Sequence, residues 1–242
     1  MGDEKKALSR AQGGALQGQR SNPSDVAAFL DQVRSLTQRR AEAARLVLAL
    51  DATMSRQPTW DLACTLQGQM FDAVGRTGAL SVQLVYFRGL GECRASRFVE
   101  DTGSLKDLMA RIDCRGGHTQ IGRVLANTLK ESERARVKAL VYIGDAMEEP
   151  VDDLSEKAGR LGLLGTPIFV FQEGREPVAE KAFKDMARLS RGAWFRFDRD
   201  SASRLASLLS SVAVYATGGV PALESRGRPE DFLMIENLRG RR

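Results

Sequence analysis

The chain has 242 residues, of which 43% are hydrophobic and 28% are charged. This length allows one large domain with extensions, and the composition excludes wholesale disorder and collagen-like sequence. The longest apolar runs, such as Leu46–Leu50 and Ala139–Ile143, are much shorter than the roughly 18 residues that cross a bilayer, and no signal sequence is evident. We therefore expect a soluble, cytoplasmic protein without a transmembrane helix.

The formal net charge of +5 is concentrated at the two ends of the chain. Residues 1–45 hold 8 basic and 5 acidic side chains and residues 218–242 hold 5 and 4, so the middle of the chain is nearly neutral. A nucleic-acid surface needs clustered cations that displace counterions from phosphate, and the middle segment lacks such an excess. An RNA-associated scaffold that binds through its basic tails stays open as an alternative.

The cysteine and histidine contents exclude several kinds of site. The chain has three cysteines without a CxxC spacing, at positions 64, 93 and 114, and its single histidine is His118. These residues predict neither a disulfide framework nor a thiolate zinc site, and they exclude a metal site built from several histidines.

Two segments at the start of the chain, residues 1–22 and 23–41, are predicted to precede the main domain. Residues 1–22 have no periodic apolar positions, which predicts a disordered N-terminal tail. Residues 23–41 follow a helix-start signal and carry apolar residues at helical spacing, which predicts a short amphipathic helix.

The central part of the chain alternates apolar runs with amphipathic stretches, which is typical of βα succession. Leu46–Leu50 and Ala139–Gly144 are continuous apolar runs, as expected of parallel strands that are buried on both faces. Leu80–Phe87 and Cys93–Val99 flank Gly89–Gly91, which predicts a hairpin and an antiparallel edge strand. The other predicted elements are strands at 167–171 and 193–197 and helices at 59–75, 104–112, 119–133, 151–164, 178–190 and 201–215.

These elements predict a doubly wound three-layer α/β/α sandwich over residues 42–217. Its sheet is expected to have six strands in the order 3-2-1-4-5-6, mostly parallel with one antiparallel edge strand. Ligands of such sheets bind at the carboxyl ends of the strands where the winding reverses, here between strands one and four. Residues 218–242 are predicted to be a flexible C-terminal tail, unless the apolar patch Phe232–Ile235 docks it on the domain.

Carboxylate and hydroxyl side chains follow these two strands. Asp51, Thr53 and Ser55 stand at alternate positions at the end of the first strand, and alternation lets them face one point. A glycine-containing loop would bring Thr119 into the same crevice, and Asp145 ends the fourth strand. Two carboxylates and three hydroxyls form an all-oxygen set, which suits octahedral Mg²⁺ or Mn²⁺ and matches zinc poorly.

This arrangement resembles the metal-ion-dependent adhesion site (MIDAS) of the von Willebrand factor type A (VWA) domain, which reads Asp-x-Ser-x-Ser, then a distant Thr and a distant Asp. The resemblance covers about residues 42–217. It implies the following metal ligands: Asp51, Thr53, Ser55, Thr119 and Asp145. The chain departs from the family pattern at Thr53, which keeps the hydroxyl of the usual Ser, and at Ala146, where Gly is common.

The resemblance also implies a function. In this family, a Glu or Asp side chain of another protein typically completes the coordination of the ion. We therefore expect a metal-dependent protein–protein interaction module of the bacterial intracellular type, and not an enzyme. The resemblance also suggests a partner, because bacterial proteins with such a domain often work beside AAA+ ATPases or in stress and metal-resistance systems. An AAA+ ATPase is therefore the first partner to test.

Other interpretations of these residues stay open. The same ion could polarise a phosphoryl oxygen in a metal-dependent hydrolase or phosphotransferase, but the chain has no G-x-x-x-x-G-K-[ST] loop and no evident general base. Asp51 and Asp145 could instead be helix-capping acids. Beside the site, His118 either contacts a ligand or is solvated, and Glu148 and Glu149 either help to hold a cation or act as helix-dipole partners.

Overall fold

A computed structural model describes residues 43–53, 61, 79–197 and 202–239. The predicted N-terminal tail and the predicted helix at 23–41 lie outside the described residues. The same holds for the predicted helix at 59–75, apart from Asp61, which is helical.

In the described part of the chain, six strands form one sheet in the order β3-β2-β1-β4-β5-β6. The strands are β1 (Ala44–Asp51), β2 (Leu80–Arg88), β3 (Glu92–Val99), β4 (Val137–Gly144), β5 (Ile168–Glu173) and β6 (Ala193–Phe197). β3 is antiparallel to β2, and the other neighbouring strands are parallel. The predicted strand order and the predicted antiparallel edge are therefore confirmed.

Helices cover both faces of this sheet. They are α1 (Thr102–Ala110), α2 (Ile121–Arg134), α3 (Val151–Leu163), α4 (Pro177–Leu189), α5 (Ala202–Arg226) and α6 (Pro229–Arg239). One buried apolar cluster packs α1, α5 and α6 against the sheet, and a second packs α2, α3 and α4 against the opposite face. The predicted three-layer α/β/α sandwich is therefore confirmed.

The apolar run of β1 follows from its central position in the sheet. Leu46, Leu48 and Leu50 belong to one apolar cluster, whereas Val47 and Ala49 belong to the other. Successive side chains of a strand point to opposite faces, so a strand covered by helices on both sides needs apolar residues at every position.

The C-terminal segment differs from the predicted flexible tail. α5 continues beyond the predicted end of the domain and is kinked at Gly219, whose φ of 66° lies in the left-handed region that favours glycine. Pro221 follows the kink, and α6 then buries Met234 and Ile235 in the apolar cluster shared with α5. The apolar patch therefore docks the segment, and the folded domain extends through α6.

One part of α5, Ser203–Arg226, is long and apolar enough to cross a membrane by length and composition. The expectation of no transmembrane helix considered only uninterrupted apolar runs, and it stays a prediction. Within this helix, 56% of the most apolar window is buried inside the fold. Core helices of soluble proteins pass the same test, so this helix is weak evidence for a membrane span.

Candidate metal centre

Asp51 is the last residue of β1 and lies at the carboxyl end of the sheet. Its side chain is buried, with 4% of the residue exposed, and Thr53 is also buried. The backbone N–H of Thr53 donates a hydrogen bond of 2.8 Å to Oδ1 of Asp51. This bond orients the carboxylate, as hydrogen bonds to metal-binding carboxylates do in other proteins.

β4 brings Asp145 to the same edge of the sheet. Leu50 pairs with Ile143 in the parallel register of β1 and β4, so the chain leaves the two strands side by side at Asp51 and Asp145. Asp145 is half-buried and directly follows β4. The crevice where the winding of the sheet reverses therefore carries two carboxylates.

The loop between α1 and α2 carries Thr119 and is bonded to both strand ends. The backbone N–H of Arg115 donates to the carbonyl of Ala52, directly after β1, at 3.0 Å. The backbone N–H of Glu148, in the loop after β4, donates to Oγ1 of Thr119 at 3.0 Å. These contacts hold the buried Thr119 near the ends of both strands.

The structure thus brings four of the five predicted ligands to one edge of the sheet: Asp51, Thr53, Thr119 and Asp145. The fifth, Ser55, lies outside the described residues, so the full ligand set stays a prediction. Within the described ranges, no group of three or more His, Cys, Asp and Glu side chains could hold a metal. A metal at this edge would therefore depend on the two carboxylates together with hydroxyl oxygens, a donor set that fits a hard divalent cation.

Glu148 ties the Thr119 loop to the loop after β4. Its Oε2 accepts a hydrogen bond of 3.2 Å from the backbone N–H of Thr119 and lies 3.0 Å from Nδ1 of His118. The pKa of Glu148 is lowered, mainly by the hydrogen bond from Thr119 and next by the one from His118. The side chain of His118 is otherwise largely exposed. Glu148 therefore acts as an acceptor for the neighbouring loop.

The carboxylate of Glu149 caps the N-terminus of α2, a contact that the sequence did not predict. Its carboxylate accepts hydrogen bonds from the backbone N–H groups of Ile121 and Gly122, the first residues of that helix. Gln120, at the N-cap position, makes no capping bond with its side chain. The sequence gives one indication of this contact: Gln is not a favoured N-cap residue, so α2 has no local cap and needs one from elsewhere.

Replacing this distant cap should destabilise the domain. We expect Glu149→Ala to lower the free energy of unfolding by about 1–2 kcal/mol, because two N–H groups of α2 lose their acceptor. Glu149→Gln keeps one acceptor oxygen and should lose less. Urea unfolding measures both, with Glu156→Ala on the exposed face of α3 as the control. Equal stabilities of Glu149→Ala and the control would contradict the capping role.

No protein family model and no curated protein matches the chain. Solved structures do match it. A von Willebrand factor type A protein from Catenulispora acidiphila has a TM-score of 0.60 and 16% identity, and the match covers 73% of this chain and 43% of that one. Proximal thread matrix protein 1 from the mussel byssus, in a structure with a zinc-occupied MIDAS motif, has a TM-score of 0.60 and 16% identity, with 71% and 46% covered.

The SpRpn10 VWA domain also matches, with a TM-score of 0.53 and 13% identity, and the match covers 70% of this chain and 95% of that domain. The chain spans less than half the length of the Catenulispora and mussel proteins. Identities this low show the fold alone. The strand order, the helix layers and these similarities agree, and the chain therefore contains a domain of the von Willebrand factor type A fold.

Proposed function

We propose that this chain is a metal-dependent protein interaction module, which binds an acidic side chain of a partner through a divalent cation. The observation that supports it best is the convergence of the ends of β1 and β4 and the Thr119 loop at one edge of the sheet. The proposed ligands are Asp51, Thr53, Ser55, Thr119 and Asp145. Two carboxylates roughly neutralise a divalent cation, which can then accept a further carboxylate from a partner.

The chain's own contacts support this role because they arrange the ligands before a partner binds. The N–H of Thr53 orients the Asp51 carboxylate, and two hydrogen bonds join Glu148 to Thr119. Side chains that are held by such secondary contacts lose little freedom when they bind an ion.

The finer parts of the proposal rest on the family resemblance. We take Mg²⁺ or Mn²⁺ as the ion, a Glu or Asp side chain as the partner's contribution, and a bacterial cytoplasm as the setting. An AAA+ ATPase is the first partner to test. The mussel protein has zinc in its MIDAS motif, so Zn²⁺ belongs in the same metal series.

The test is the melting temperature of the full chain in excess EDTA and in millimolar Mg²⁺, Mn²⁺ or Zn²⁺. An ion at about 100 times its dissociation constant adds about 2.7 kcal/mol of stability, which raises the melting temperature by roughly 5–10 °C for a chain of this size. We expect Asp51→Ala to abolish this metal-dependent rise.

The control is Asp107→Ala, which removes an exposed carboxylate on α1 and should keep the full rise. The proposed function is contradicted by equal melting temperatures in EDTA and in every metal. A rise that persists in Asp51→Ala would also contradict it.

A further inference from the structure

We infer that the turn between β2 and β3 is a second contact surface for the same partner. It fits an acidic segment that carries an apolar side chain close to its metal-binding carboxylate. The inference rests on the proposed function, and it is carried by an exposed leucine, Leu90, on a hairpin that is bonded to the Thr119 loop.

The hairpin leaves the sheet beside the candidate metal centre. β2 is parallel to β1, and Phe87 pairs with Asp51. The backbone N–H of Ala52 donates to the carbonyl of Phe87 at 2.9 Å. β2 ends one residue later, at Arg88, so the turn begins at the same edge of the sheet as the two carboxylates.

Hydrogen bonds hold the turn against the loop that carries Thr119. The backbone N–H of His118 and Nε2 of Gln120 both donate to the carbonyl of Gly89, each at 3.3 Å. Leu90 directly follows Gly89 in the chain, and Thr119 directly follows His118, so one hydrogen bond links their neighbours. Covalent geometry therefore puts the Cα atoms of Leu90 and Thr119 within about 12 Å, which an extended segment spans in about four residues.

The turn is fixed on its other side as well. Nε of Arg88 donates to Glu92 across the base of the hairpin at 2.9 Å, and Nη1 of Arg123 donates to the carbonyl of Gly91 at 2.5 Å. Leu90 nevertheless remains 84% exposed. A partner that buries this apolar side chain gains hydrophobic free energy, and the fixed turn loses little backbone freedom on binding.

Exposed arginines beside the turn favour an acidic partner. Four arginines surround the turn: Arg88, Arg94, Arg115 and Arg123. The first three form ion pairs with two acids, Glu92 and Asp113. Glu148 and Glu149, which are bonded to the adjacent Thr119 loop and the start of α2, balance the other charges, so the attraction for an acid depends on which arginines are exposed. The side chains of Arg94 and Arg115 are more than half exposed, so an approaching carboxylate can reach both.

Exposure alone does not distinguish Leu90, because single exposed apolar residues are common. Leu163, the last residue of α3, is also 84% exposed. It lies near the start of β4, where Oγ1 of Thr166 donates to the carbonyl of Val137 at 3.0 Å. This is the amino end of the parallel strands, whereas the candidate metal centre lies at their carboxyl end. Leu163 is therefore the matched control for Leu90.

The test measures binding of fluorescent synthetic peptides to the full chain by fluorescence polarisation, in excess Mg²⁺ and in EDTA. One set is a Gly/Ser sequence with a single Glu, and the second set adds a Leu at one to six residues from the Glu. We expect a Leu within about four residues of the Glu to strengthen Mg²⁺-dependent binding about tenfold. Leu90→Ser should remove this gain, and Leu163→Ser should keep it.

The outcomes separate this inference from the proposed function. If the Glu peptides bind only with Mg²⁺ but gain nothing from the Leu, the inference is overturned and the proposed function stands. A gain that survives in Leu90→Ser also overturns the inference. If no peptide binds in Mg²⁺ and the melting temperature does not respond to metal, the proposed function fails and the inference fails with it.

Discussion

Asp231→Ala is expected to lower the free energy of unfolding by about 3–5 kcal/mol, because it removes one partner of a buried ion pair. Asp231 lies on α6 and is fully buried. Its carboxylate accepts hydrogen bonds from Arg226, from the Ser211 hydroxyl and from the backbone N–H of Arg228. The substitution would leave the largely buried Arg226 guanidinium without this carboxylate. Guanidinium chloride unfolding measures the loss.

The control on the same helix is Glu236→Ala, which removes an exposed carboxylate and should change stability by no more than about 0.5 kcal/mol. Equal stabilities of the two variants would show that the contact between α5 and α6 contributes little. The docked C-terminal segment would then be contradicted as a stabilising part of the domain.

The same ion pair gives a pH dependence. Burial by itself raises the pKa of Asp231, but the hydrogen bonds from Arg226, Ser211 and Arg228 outweigh this effect, and the pKa is lowered. The stability from this carboxylate is therefore present above its unfolded pKa of about 3.9 and is lost as the pH falls through the lower folded value. We expect the wild type to lose stability more steeply than Asp231→Asn below about pH 4, and equal slopes would contradict this.

The strands and their ends could be predicted from the sequence because they follow from local patterns, and the strand order could be predicted because doubly wound sheets share a common order. A strand that is covered on both faces must be apolar throughout, and Leu46–Leu50 shows this directly. Its apolar run stops at the carboxylate of Asp51, and the run before Asp145 ends in the same way. These two strand ends mark the candidate site in the sequence itself.

The remaining features depend on how the helices pack, which no pattern in the sequence specifies. Gly219 and Pro221 lie in the predicted flexible tail, but here they form a kink between two packed helical segments. Glu149 precedes its own helix, but it caps α2 instead. Arg226 is only five residues before Asp231, but the two pair because the chain turns between α5 and α6, and the sequence does not predict this turn.

Two adjacent glycines before Thr119 have different surroundings, which provides a further prediction. A Cβ atom on Gly117 would lie 2.1 Å from the carbonyl oxygen of Gly89, whereas a Cβ atom on Gly116 would have no atom within 4 Å. Backbone atoms cannot tolerate so short a contact, so Gly117→Ala must push the hairpin away from the Thr119 loop. We expect it to lower the free energy of unfolding by about 1–3 kcal/mol and to reduce the metal-dependent rise in melting temperature.

Gly116→Ala is the control, because it removes the same backbone flexibility one position earlier. We expect this variant to be as stable as the wild type or up to about 1 kcal/mol more stable, and to keep the metal response. Urea unfolding and melts in Mg²⁺ and EDTA compare the two variants. If Gly117→Ala matches Gly116→Ala in both measurements, the hairpin can move without loss, and the fixed turn is contradicted. If only Gly117→Ala is impaired, the close contact between the hairpin and the loop is responsible, since both variants lose a glycine from the same loop.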